Sequence, residues 1–174
     1  MLRLFVGIAL PPELKLRVSL LCAGVPGARW VDPGNYHLTL RFIGDVDEGV
    51  ASDIDAALVQ IRAPRFEVAL AGVGRFGDRM LWVGVDKCPP LVHLRDKVES
   101  ALVRLGLEAE TRRYAPHVTL ARLRNASEAK LAAFLAEHAL FRAASFPVER
   151  FSLVASYLTK SGAIYEDQAD YELR

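Results

Sequence analysis

One unit, histidine–x–threonine–leucine, stands twice in the chain, as H-L-T-L at His37–Leu40 and as H-V-T-L at His117–Leu120. The copies lie 80 residues apart in a chain of 174. On a β-strand, successive side chains point to opposite faces. Each copy therefore turns two aliphatic residues one way and an imidazole and a hydroxyl the other. Such a strand is half-buried, with its apolar face on a core. The chain is thus limited to folds that give two strands this same setting.

The flanking patterns extend the likeness. Leu4–Leu10 is a short apolar run ended by Pro11-Pro12 and reads as a buried strand. Apolar residues at helical spacing predict helices over 13–22, 48–62, 89–105 and 127–140. Strands are expected at 36–43, 117–123, 146–157 and 164–173, with a hairpin over 66–85. Strand, helix, strand, strand thus occurs about twice, with the repeated unit on a strand each time. This is the pattern of an internal duplication in an α+β chain.

Composition removes several classes. Apolar residues make up 52% and charged residues 25%, as in an ordinary globular domain. The longest apolar runs are too short to span a bilayer, so no membrane role is expected. The opening M-L-R-L-F-V-G-I-A-L-P-P lacks a signal peptide's cleavage site. Cys22 and Cys88 form no C-x-x-C pair, and with no export signal a cytoplasmic location is expected. A net charge of +1 gives no global field to attract a nucleic-acid duplex. A monomer is expected.

If both polar faces line one cleft, two imidazoles and two hydroxyls meet there. Imidazole titrates near neutrality, so one ring can act as base and the other as acid. The hydroxyls of Thr39 and Thr119 can hydrogen-bond non-bridging phosphate oxygens. The pattern suits phosphate ester chemistry without a metal or other cofactor. Zinc would need a third or fourth ligand, and the chain has no H-x-x-x-H or Cys/His cluster. G-x-S-x-G and the ATP-binding G-x-x-x-x-G-K-[ST] are also missing. His93 and His138 fall within predicted helices and have no comparable partners.

Arg112–Arg124 reads R-R-Y-A-P-H-V-T-L-A-R-L-R, with four arginines and no acid. Such a cluster beside His117 fits a phosphate site. Strict alternation puts Arg41 on the face of His37 and Thr39. The same rule puts Arg122 with Val118 and Leu120, away from His117, unless a bulge turns it. Tyr36, Tyr114, Trp30 and Phe42 are available to stack on a base or to form the walls.

These residues resemble the 2H phosphoesterase superfamily, and within it the RNA 2′,3′-cyclic phosphodiesterases, also called 2′-5′ RNA ligases. R-W-V at Arg29–Val31 with Y-H-L-T-L-R-F-I-G at Tyr36–Gly44 looks like the family's first motif region. R-R-Y-A-P-H-V-T-L-A-R at Arg112–Arg122 resembles the second. G-V-G-R-F, L-W-V-G-V and L-V-A-S-Y-L with G-A-I-Y are similar to its hairpins. The resemblance implies a single domain over 1–174 with two pseudo-symmetric lobes. It implies antiparallel sheets around a central cleft, with helices outside. It implies hydrolysis of 2′,3′-cyclic phosphate on RNA ends or small nucleotides to a 2′-phosphomonoester. His37 would be the acid, His117 the base, and Arg122 a cleft residue with Thr39, Thr119 and Tyr114. Ligation would be the same chemistry reversed. The competing reading is a nucleotide-binding module without turnover.

Overall fold

The computed structural model describes residues 1–174. The strands are β1 (Leu2–Ala9), β2 (Ala28–Trp30), β3 (His37–Val46), β4 (Phe66–Val68), β5 (Leu70–Phe76) and β6 (Met80–Val85). They continue with β7 (His117–Leu123), β8 (Phe146–Val148), β9 (Arg150–Thr159) and β10 (Gly162–Glu172). Four helices intervene: α1 (Pro12–Ser19), α2 (Glu48–Leu58), α3 (Pro89–Arg104) and α4 (Glu128–His138). Asp47 caps α2 by accepting from the Val50 amide at 2.8 Å, and Ser127 caps α4 by accepting from Lys130 at 3.4 Å. Each cap is worth about 1 kcal/mol. The expected helices thus form, the first two ending three and four residues early.

The duplication extends beyond the motif. β3, α2, β4 and β5 begin at residues 37, 48, 66 and 70, and β7, α4, β8 and β9 begin at 117, 128, 146 and 150. The offset is 80 throughout, with no insertion. β4 pairs antiparallel with β8, with Glu67 opposite Pro147 and Phe66 and Val68 opposite Val148 and Phe146. Residues 80 apart therefore exchange places about an approximate twofold axis at the Glu67–Pro147 pair.

Around that axis the units exchange hairpins, which the expected element order did not reveal. One sheet runs β10-β9-β1-β3 and the other β2-β7-β6-β5. The hairpin β5–β6, which follows β3 in the chain, pairs with β7. The hairpin β9–β10, which follows β7, joins the sheet of β3 through β1. Each lobe is thus built from both halves. One core of 37 buried residues runs through the whole molecule. Leu38, Leu40, Val118 and Leu120 all belong to it, with at most 2% exposure. Burying such side chains contributes roughly 1.5–3 kcal/mol each, which anchors both motif strands with their polar faces outward.

Both motif strands carry a bulge at the same place. Across β1 and β3, Gly7 pairs with Thr39 and Val6 with Arg41, leaving Leu40 unmatched. Across β6 and β7, Trp82 pairs with Thr119 and Leu81 with Ala121, leaving Leu120 unmatched. After the extra residue, alternation resumes on the opposite face. Leu40 and Arg41 are consecutively buried, as are Leu120 and Ala121. Arg122 comes out exposed on the face of His117 and Thr119. No helix is long and apolar enough to cross a membrane.

Candidate active site

His37 and His117 stand at the first positions of β3 and β7, half-buried or partly exposed, and the two lobes set them alike. The Nδ1–H of His37 donates to the Asn35 carbonyl and that of His117 to the Ala115 carbonyl, both at 2.7 Å. In each case the acceptor lies two residues earlier, where the chain enters the strand. This bond fixes the ring and leaves Nε2 as the working nitrogen. Nε2 of His37 lies 2.8 Å from Oγ1 of Thr39. In the neutral ring the hydroxyl donates, and in the charged ring Nε2–H donates to it. Nε2 of His117 has no such partner, and the Thr119 hydroxyl makes only a long contact of 3.6 Å to the sulfur of Met80.

Burial holds both imidazoles below the ordinary value of 6.5. For His37, the charges of His117 and Lys15 push the same way, against the opposing bond to Asn35. The charge of His117 is thus felt at His37, as expected of two rings on neighbouring lobes.

Aromatic rings back both histidines. Phe5 stacks on the His37 ring at 4.5 Å, and Tyr165 meets it edge-on at 5.2 Å. Phe76 meets His117 edge-on at 4.9 Å, and Trp82 lies 6.3 Å from it. Gly74 is required here, because an added Cβ would stand 2.3 Å from the Trp82 indole. Arg122 is close enough to favour charge on the Tyr165 hydroxyl, whose acidity burial otherwise weakens. Arg122 on β7 thus stands within electrostatic range of Tyr165, which borders His37. Of the neighbours, Phe76, Trp82 and Tyr165 fall within the motif segments G-V-G-R-F, L-W-V-G-V and G-A-I-Y. Phe5 carries no periodic signal that marks it, since a distant strand brings it in.

Arg41 does not belong to this constellation, contrary to the alternation rule. The bulge at Leu40 turns it to the helix side, where it is 8% exposed. It donates to both Glu99 oxygens at 3.0 and 3.2 Å and to the Phe42 carbonyl at 2.7 Å, and it also meets the Glu108 carbonyl. Four of its five N–H donors are thus engaged away from the motif histidines. Tyr114 is likewise engaged. Its hydroxyl donates to the Thr39 carbonyl at 2.9 Å, and the Arg95 guanidinium covers its ring at 5.3 Å. Tyr114 thus ties the approach to the second motif to the backbone of the first, and is not an open stacking surface. Tyr36 is buried, with its hydroxyl 3.3 Å from the Cys22 sulfur. Trp30 packs on Phe134, while Phe42 is exposed.

No group of three or more His, Cys, Asp and Glu side chains is arranged to hold a metal ion. Paired histidines on twin bulged strands, set in exchanged antiparallel sheets, define the two-histidine phosphoesterase class of fold. Residues 27–159 match the 2′-5′ RNA ligase superfamily, and the chain belongs to that family. An RNA 2′,3′-cyclic phosphodiesterase of Aeropyrum pernix is 39% identical over 158 residues, covering 87% of this chain and 89% of that protein. A protein of the same name from Methanothermobacter thermautotrophicus is 31% identical, covering 98% of each. Among solved structures, E. coli LigT complexed with 3′-AMP superposes with a TM-score of 0.83 at 29% identity, over 99% of this chain and 98% of that one.

Proposed function

We propose that this chain hydrolyses the 2′,3′-cyclic phosphodiester at RNA ends, or on small nucleotides, to a 2′-phosphomonoester. The observation that carries this reading is the matched pair of imidazoles, each fixed through Nδ1 to a backbone carbonyl with Nε2 left to work. His117 Nε2 takes a proton from water as its oxygen attacks phosphorus. The bond from phosphorus to the 3′ oxygen breaks, and that oxygen takes the proton from His37 Nε2. Thr39 and Thr119 donate to the non-bridging oxygens, and Arg122 balances their charge. The lowered pKa of His37 suits it to giving up a proton. With an RNA 5′-hydroxyl in place of water, the same steps join ends through a 2′-5′ bond, the 3′ oxygen again leaving with the proton from His37. The whole of residues 1–174 acts as one domain, because each lobe needs a hairpin from the other half.

The test is product analysis. An oligoribonucleotide with a 2′,3′-cyclic end, incubated with the protein in excess EDTA, is expected to yield a 2′-phosphate and a free 3′-hydroxyl. Tight nucleotide binding without turnover would instead favour the binding-module reading.

The pH dependence follows from the two lowered histidines. The reactive form carries one proton on the pair. In the free protein, both rings lose their protons on the acid side of 6.5. The bell-shaped profile of kcat/KM is therefore expected to peak below pH 6.5 and to fall on the alkaline side. A bound phosphodiester anion favours the imidazolium, so the alkaline limb of kcat should lie at higher pH than that of kcat/KM. A kcat/KM profile still rising through pH 7 would contradict this assignment.

A further inference from the structure

The two lobes differ opposite their motif threonines. Trp82 lies opposite Thr119 in the second lobe, and Gly7 lies opposite Thr39 in the first. In the second lobe, the Trp82 indole lies against Gly74 and Gly84 and fills the space beside His117. In the first, Gly7 offers bare backbone, and an added Cβ would come within 3.0 Å of the Leu38 carbonyl and 3.5 Å of the His37 ring. The space left over it is a pocket of about 230 Å³ that opens beside His37. This is below the roughly 300–1,000 Å³ of sites for drug-sized ligands, and suits one small ring system.

The walls of this pocket are partly apolar and carry two opposite charges. Lys15 stands on one side, its ammonium donating to the Gly34 carbonyl at 3.3 Å with two protons to spare. Tyr165 and Asp167, two apart on β10, stand on the other. Burial and Asp170 raise the pKa of Asp167, and Lys15 opposes that rise. The Asn35 amide donates to the Ala163 carbonyl at 2.8 Å and ties the rim preceding β3 to β10.

We infer that this pocket seats the base of the nucleoside bearing the cyclic phosphate, and that Lys15 and Asp167 read its edge, with guanine preferred. The inference rests on the hydrolytic function proposed above and adds a base specificity to it. Guanine presents two adjacent N–H donors, at N1 and N2, to one carboxylate, and an O6 acceptor to the ammonium. That is a bidentate, charge-assisted pairing. Uracil offers a carboxylate only one N–H donor, and cytosine only its amino group. Trp82 blocks the corresponding space beside His117, so the nucleoside is directed to the His37 side. There the 3′ oxygen meets the proposed acid.

The experiment compares guanosine and uridine 2′,3′-cyclic phosphates as substrates, and guanosine and uridine 2′-monophosphates as ligands by calorimetry. A preference for guanosine of about 10-fold or more is expected in both, falling toward unity in Asp167→Asn. Equal treatment of the two bases by the unaltered protein would overturn the inference, as would an undiminished preference in Asp167→Asn. Selective binding without turnover would keep the pocket and remove the proposed reaction. Turnover without selectivity would keep the reaction and remove the pocket's role.

Discussion

Replacing His37 or His117 by alanine is expected to slow turnover of a 2′,3′-cyclic phosphate by about 10²–10⁴-fold, with little further loss in the double variant. Each ring performs one half of a coupled proton exchange. Once either is missing, the other has no complementary step to assist, so the effects do not multiply. A substrate with sulfur in place of the 3′ bridging oxygen separates the roles, because a thiolate leaves without a proton. His37→Ala is expected to recover most of its loss on that substrate, and His117→Ala none. Rescue of His117→Ala instead would exchange the two assignments. A double variant as fast as the unaltered protein would remove the histidines from the chemistry altogether.

That constellation was largely legible because it depends on local rules. The apolar residues of both motifs had to face inward, and they do, at most 2% exposed. The β7 strand spans His117–Leu123, as the pattern predicted. The arginines were read less well, for one shared reason. Counting alternate residues from His37 to Arg41, or from His117 to Arg122, crosses a bulge at Leu40 or Leu120. One extra residue reverses every later side chain. Strict alternation assigns Arg41 to the cleft, and it lies on the helix side. The same rule turns Arg122 toward the core, and it is exposed past the bulge. A bulge has no reliable signature in a single strand, since it is a mismatch between two strands. The exchanged hairpins are equally non-local. Nothing within residues 70–85 shows that β6 pairs with β7 rather than with β3. Phe5 and Tyr165 enter the site only through such pairing.

The placement of Arg41 leads to a large effect of a different kind. Arg41→Met is expected to lower unfolding stability by about 3 kcal/mol, read from a urea transition with unchanged slope. Arg41 is bonded to Glu99 and to the carbonyls of Phe42 and Glu108, with almost no access to water. Its removal leaves those acceptors unsatisfied and Glu99 with one arginine fewer. Arg95, 3.5 Å from Glu99, limits the loss. Replacing Glu99 as well, by leucine, should restore part of the stability, because an apolar pair avoids the desolvation cost that a lone buried charge carries. Well below its melting temperature, Arg41→Met should hydrolyse substrate within a few fold of the unaltered protein, with KM little altered. A phosphate-binding Arg41 would give the reverse pattern, with intact stability and a sharply raised KM. The two measurements together decide whether this arginine holds the fold or the substrate. The geometry of its four hydrogen bonds, to Glu99, Phe42 and Glu108, assigns it to the fold.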